Sequence, residues 1–155
     1  MPFQDDLKLT HIELGLKGAH PDQMFQNIAR ILSVETDLPP SSILSELRKN
    51  IDRGDPNIGD GLMICDWLSD GIRSPVVSLF RPEKPVDLGG DDPHFIDMFL
   101  VLISPEKESM THLRHLARLT RLFRDETLLQ HVRAAHSEDV VLSLMQKENR
   151  RLLAA

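Results

Sequence analysis

The sequence predicts an α/β fold, a mixed β-sheet sandwiched between α-helices. Three observations point there. Short strand-like segments alternate with helical patterns up to Pro105. The continuous apolar run Asp97 to Ile103 reads as a central strand covered on both faces. From Ser109 onward the pattern is helical throughout. A chain of 155 residues suits one domain over 1–155, with a tail at 146–155 that either extends the last helix or frays.

The elements follow in order. Leu7 to Leu16 alternates patchily and can hold a short strand. Pro21 to Val34 predicts a helix, with Met24, Ile28, Ile31 and Leu32 on one face and Pro21 in the first turn. Pro39-Pro40 breaks the chain, and Ser41 or Ser42 can cap a second helix to about Arg48, with Ile43, Leu44 and Leu47 inward. Gly54-Asp55-Pro56 signals a turn. Gly59-Asp60-Gly61 then leads into a short apolar strand, Leu62 to Cys65. Ser69-Asp70-Gly71 turns the chain into a strand over Pro75 to Phe80, and Arg81 to His94 reads as a loop. The helical part begins with Ser109 to Phe123, with Leu113, Leu116, Ala117, Thr120 and Phe123 inward. Asp125 caps the next helix, which turns Leu128, Leu129 and Val132 inward. Ser137 caps the last, with Val140, Val141, Leu144 and Met145 inward.

Composition narrows the function. A net charge of −6 argues against nucleic acid or an anionic membrane as an electrostatic partner. The single cysteine cannot form an internal disulfide, which fits the cytoplasm. The start, MPFQDDLKLTHIEL, lacks the basic and apolar regions of a signal peptide. The apolar stretch Phe95 to Ile103 falls far short of the ~20 residues a membrane helix needs, so no membrane insertion is expected. His112 and His115 stand three apart and His131 and His136 five apart, but no Cys or Glu joins them at a zinc spacing. No metal and no cofactor is expected.

The most informative stretch is Asn57 to Trp67, NIGDGLMICDW. It resembles the motif Gly-Ile-Gly-x-Gly-Ile-Ala-Ile-Pro-His-Gly of the enzyme IIA proteins of the fructose, mannitol and nitrogen-regulatory type, from the bacterial phosphoenolpyruvate-dependent phosphotransferase system. Ile58, Gly59, Gly61 and Ile64 stand in place; Cys65 replaces the Pro, Asp66 the phosphorylated His and Trp67 the final Gly. The resemblance spans most of the chain. Leu38-Pro39-Pro40, Ser74 to Phe80, Ile96 to Pro105, Leu122 to Asp125 and Arg133-Ala134-Ala135 are similar to family segments in matching order. Thr111-His112-Leu113 falls where the family has a second, supporting His. Where it often has an Arg-Glu pair before the motif, this chain has Asn50-Ile51.

The resemblance implies a mixed sheet between helical layers and a phosphoryl-carrying site. In it Gly59, Asp60 and Gly61 would form an anion-binding loop, because glycines let backbone N–H groups approach a phosphate. Asp66 changes the chemistry. A carboxylate is anionic near neutral pH and repels an incoming phosphoryl group unless cations screen it. It also places a negative charge where a phospho-His would stand, a partial imitation of the phosphorylated state. The reading is a regulatory enzyme IIA-like protein, of nitrogen-regulatory kind, acting by protein binding. The resemblance implies a phospho-carrier protein, a transporter or a sensor kinase as its partner. The alternatives are an active phosphoryl carrier using His112 or Asp66, and a transporter-associated module binding a small anion.

Three other features carry paired readings. Cys65 is either a reactive thiol, dulled by Asp66, or a small core residue. Trp67 either covers the old pocket, anchors a partner or packs in the core. Arg114, Arg118, Arg121 and Arg124 form either a solvated basic face or a docking patch for an acidic partner.

Overall fold

The computed structural model describes residues 9–53, 57–89 and 95–154, without the side chains of 57–59 and 152–154. The chain runs β1 (His11–Leu16), α1 (Pro21–Thr36), α2 (Pro40–Asp52), β2 (Asn57–Gly59), β3 (Leu62–Ser69), β4 (Val76–Pro82), β5 (Val86–Asp87), β6 (Phe95–Ile96), β7 (Met98–Pro105), α3 (Ser109–Phe123), α4 (Glu126–Ala134) and α5 (Glu138–Ala154). A five-stranded sheet has the order β1-β4-β7-β3-β2, and β5 and β6 pair separately. β7 pairs parallel with β3 and antiparallel with β4, and β1 lies parallel to β4, so the sheet is mixed as expected.

Every residue of β7 is buried, because helices cover both sheet faces. Side chains of a strand alternate between faces. On one face Met63, Cys65, Trp67, Phe99, Val101 and Ile103 pack with Met24, Phe25, Ile28, Leu32, Ile43 and Leu47 of α1 and α2. On the other, Leu62, Ile64, Leu100 and Leu102 pack with Leu119, Leu122, Phe123, Leu128, Leu129, Val132, Val141 and Met145 of α3, α4 and α5. By the same alternation Asp66 and Ser104 belong to the α3 face.

Several elements depart from the sequence expectation. α2 starts at Pro40, with Pro39 in the capping position and no side-chain cap, because a proline at the first helical position needs no partner for a missing N–H. Ser42 instead turns its hydroxyl back to the Pro39 carbonyl. β3 runs on through Asp66 and Trp67 to Ser69, since its pairing with β7 continues to Pro105. The expected loop 81–94 contains the short strand β5. Its first two residues belong to β4, and its residues 90–94 and the Gly54-Asp55-Pro56 turn lie outside the described residues. α3 has the expected limits but a different inner face: His112, His115, Leu119, Leu122 and Phe123 are buried, whereas Leu113 is 59% exposed and Ala117 is also exposed. The histidines read as polar in the sequence, and counting them inward rotates the face. In α5 Val141 and Met145 are buried and Val140 is exposed; the helix continues through the tail to Ala154. The Asp125 cap forms as expected, its carboxylate accepting from the N–H groups of Thr127 and Leu128.

The open edge of β3 has a specific closure. β2 pairs with β3 only at Leu62 and Met63. Further along, the side chain of Asn50, at the end of α2 and 4% exposed, bonds the backbone of Asp66 at two points. Its Oδ1 accepts from Asp66 N at 3.0 Å and its Nδ2 donates to Asp66 O at 3.2 Å, as a neighbouring strand would. Nδ2 also donates to the Glu46 carbonyl, which fixes the amide orientation. Asn50→Ala is expected to lower unfolding stability by about 1 to 3 kcal/mol and to speed hydrogen exchange at the Asp66 amide. Unchanged exchange at that amide would mean that Asn50 does not close the edge.

Cys65 is a core residue with no exposure. Burial pushes its thiol up to about 12, the Asp66 charge adds to this, and Arg53 opposes it. Above about pH 9 the unfolded chain releases the thiol proton while the folded chain keeps it, so the unfolded state binds fewer protons. Stability therefore falls with rising pH, by up to about 1.4 kcal/mol per pH unit from this group, until the folded thiol ionises near 12. Urea titrations from pH 8.5 to 10.5 should show a steeper loss in the wild type than in Cys65→Ala. Parallel slopes would refute a protonated buried thiol.

Candidate active site at the end of the third strand

Asp66 and His112 lie 46 residues apart in sequence and meet across the sheet face. β3 supplies Asp66, four residues into the strand, on the side that faces α3. α3 begins directly after the 3-10 turn 106–108 that follows β7, and its first turns bring His112 over the strands. His112 Nε2 lies 2.8 Å from Asp66 Oδ2. A carboxylate accepts, so Nε2 carries the proton and donates. The other ring nitrogen, Nδ1, lies 2.6 Å from Ser104 Oγ, and Ser104 is fully buried on β7. The register places Leu68 beside Ser104 and Asp66 beside Leu102, so one ring spans two neighbouring strands.

Burial grades outward along this chain. His112 is 5% exposed, and the Asp66 side chain 24%. Asp66 opens into a cleft of about 680 Å³ between the end of α2 and the edge of β3. Glu46, Lys49, Asp52 and Arg53 of α2 and its end form one wall; Trp67 and Leu68 lie on the strand side. Lys49 Nζ is held by Glu46 Oε1 at 3.2 Å, and Arg53 Nη2 donates to the Asp66 carbonyl at 3.4 Å. Trp67, 7% exposed, packs in the α1/α2 core and also lines the cleft.

The structure brings Asp66 and His112 together, but it does not bring the loop Gly59, Asp60 and Gly61 to them. Asp60 (φ 55°) and Gly61 (φ 83°) occupy the left-handed region in succession, the conformation of a tight hairpin turn joining β2 to β3. Gly61 is required there: a Cβ would come within 2.7 Å of Asp97 Oδ1. The Gly61 carbonyl accepts from the N–H groups of Asp97 and Met98. Arg133 pairs with both carboxylate oxygens of Asp97, at 2.6 and 2.9 Å, and donates to the Asp60 carbonyl. At ~3.3 Å per residue, five residues of strand separate Gly61 from Asp66 by roughly 15 Å. The expected anion-binding loop is thus a hairpin turn docked on an ion pair, and it is no part of this site.

Two residues of the site were missed as participants. Asn50 was noted in the sequence only as a departure, and Ser104 only as the end of an apolar run. A polar residue closing a fully buried strand was the available signal for Ser104. Among the described residues no group of three or more His, Cys, Asp and Glu side chains gathers to hold a metal.

Comparison with known proteins identifies the family and matches the fold. Residues 7–148 match the model of the family described as phosphoenolpyruvate-dependent sugar phosphotransferase system, EIIA 2. The chain is 24% identical over 145 residues to a nitrogen regulatory protein of Bradyrhizobium diazoefficiens, covering 94% of this chain and 95% of that protein. The nitrogen regulatory protein IIA-Ntr of Neisseria meningitidis superposes with a TM-score of 0.76 at 18% identity, over 86% of this chain and 91% of that one. Enzyme IIA of the mannitol system of Escherichia coli, solved in complex with phosphorylated enzyme IIB, superposes with a TM-score of 0.71 at 17% identity, over 88% and 94%. The chain belongs to the EIIA 2 family of the phosphoenolpyruvate-dependent sugar phosphotransferase system.

Proposed function

We propose that this protein is a cytoplasmic regulatory member of the nitrogen-regulatory branch of the family, in which Asp66 stands at the phospho-acceptor position and the protein acts by binding other proteins. The observation that carries this reading is the hydrogen bond from His112 Nε2 to Asp66 Oδ2. An imidazole that would otherwise face a phosphoryl group is already matched with a permanent carboxylate. Phosphoryl transfer depends on donors converging on the transferred oxygens. Here the His112 donor is already turned to the protein's own anion. A carboxylate is smaller and carries less charge than a phosphoryl group, so it imitates the phosphorylated state in part.

Protein binding as the mode of action is supported by the mannitol enzyme IIA, which was solved together with a phosphorylated protein partner. No helix among the described residues is long and apolar enough to cross a membrane. Transfer onto His112 is disfavoured by its burial and by the engagement of both ring nitrogens. A nucleophilic nitrogen needs a free lone pair aimed at phosphorus, and neither nitrogen offers one without breaking the site.

A reconstituted relay tests the proposal. Phosphoenolpyruvate, enzyme I and the phospho-carrier protein are incubated with this protein, beside an enzyme IIA that keeps the acceptor His, and read by intact mass. The expected result is no added phosphoryl group on this chain while the control is labelled. A stoichiometric phosphoryl gain would reject the proposal. Its loss in acid with persistence in base would then assign it to a histidine, and loss in His112→Ala would name which.

A further inference from the structure

We infer that the outward face of α3 docks an acidic amphipathic helix of a protein partner. Arg121 and Arg124 take its carboxylates, and Met110, Leu113 and Ala117 take its apolar side chains. This surface lies beyond the cleft over Asp66 and shares no lining residue with it.

α3 carries an apolar stripe on each of two sides. Residues that recur every three or four positions line one side of a helix. Leu119, Leu122 and Phe123 follow that spacing with His112 and His115 on the buried side. Met110, Leu113 and Ala117 follow it on the outer side, where Met110 is 72% and Leu113 59% exposed and Ala117 is also exposed. The periodicity through Leu113 and Ala117 that predicted an inner face therefore belongs to a side left open to solvent among the described residues.

The charges select what covers it. Arg121 and Arg124 continue the outer stripe toward the end of α3. With Leu113, Leu116, Ala117 and Thr120 they line an open groove of about 520 Å³. Among the described residues neither guanidinium has a hydrogen bond or an ion pair. The acids next in sequence are turned elsewhere. Asp125 caps α4 and pairs with Arg151, and Glu126 lines a different pocket with Asp60 and Arg133. Two cations beside an apolar floor fit an occupant with carboxylates beside apolar side chains. A second copy docking on the same face would bring the arginines of both α3 helices together, so like charges oppose it. The net charge of −6 opposes an anionic membrane.

Helix geometry gives the occupant its direction. Acidic side chains are favoured in the first turn of a helix, where the macrodipole is positive. A partner helix antiparallel to α3 sets that turn against Arg121 and Arg124, and its apolar residues then fall along Ala117, Leu113 and Met110. From Met110 to Arg124 the stripe extends about 21 Å, the rise of roughly 14 helical residues. Ala117 in the middle is small enough to let two helices approach closely.

The test titrates the whole chain with synthetic helical peptides of about 14 residues that share Leu at helical spacing. One carries Glu in its first turn, one carries Lys in the same places, and one is a scramble of the first. Affinity is read by the anisotropy of labelled peptide, and location by amide shifts of the protein. The Glu peptide should bind saturably, shift the Leu113, Ala117 and Arg121 amides, and lose affinity as salt is added. The Lys and scrambled peptides should bind about tenfold more weakly or less. The double change Arg121→Glu and Arg124→Glu should reverse the preference, weakening the Glu peptide about tenfold and strengthening the Lys peptide. Leu113→Asp should weaken the Glu peptide as well. These side chains are exposed, so melting temperatures should show all variants folded. Equal affinity for the Glu and Lys peptides, no reversal in the double variant, or shifts confined to the Asp66 cleft would overturn the inference. Sedimentation of the free chain and flotation with phosphatidylglycerol vesicles are run alongside. Self-association or vesicle binding that Leu113→Asp abolishes would assign the face to a second copy or to lipid and overturn the inference too. A phosphoryl gain in the relay would reject the earlier proposal and leave this surface standing, because none of its residues lines the cleft.

Discussion

The structure depends on the complete burial of β7. A strand with no exposed residue must have its backbone bonded on both sides and its side chains covered on both faces. β4 and β3 meet the first demand, and the layers α1/α2 and α3 to α5 meet the second. The same constraint builds the site. Next to the last residue of β7 is Ser104, whose hydroxyl has no access to water. That hydroxyl pairs with His112 Nδ1, which orients the ring so that Nε2 points at Asp66 on the next strand. The geometry at the cleft is therefore set from inside the core outward, through one serine and one imidazole.

Asp66 is held from both sides of its own peptide. Its side chain is fixed by His112 on the α3 face, and its backbone by Asn50 at the sheet edge. Each contact uses groups that would otherwise be buried and unmatched, Asn50 being almost wholly buried. This arrangement explains why a carboxylate is tolerated at 24% side-chain exposure: one oxygen is matched by a ring N–H, and the other opens into the cleft. Arg133 and Asp97 perform the analogous task at the opposite end of β3, where they fix the hairpin that delivers the strand.

Much of this was legible in the sequence, for physical reasons that differ by element. The apolar run before Pro105 announced the central strand because burial on both faces removes alternation. The cap at Asp125 was legible because capping is local chemistry. The nearness of His112 to Asp66 came only from the resemblance to the family, and the structure shows their hydrogen bond. The inner face of α3 was not legible, because His112 and His115 are buried there and hydrophobic periodicity does not count histidines. The role of Asn50 was hidden because an amide that completes a strand edge depends on where that strand loses its neighbour. The Gly59 to Gly61 loop misled because a tight hairpin and an anion cradle both ask for residues with positive φ. Only the docking of Arg133 and Asp97 distinguishes them.

The proposed mode of action has a consequence for control. A phosphoryl group can be added and removed, so a site that carries one can occupy two states. Asp66 is covalently part of the chain, and the His112 bond to it needs no donor protein to form. A ligand shifts an equilibrium only through differential affinity for two states. If the acceptor position holds one state permanently, input must enter through the amount of protein, through occupancy of the cleft or through the partner itself. The unmatched oxygen of Asp66 is where occupancy of the cleft would be felt.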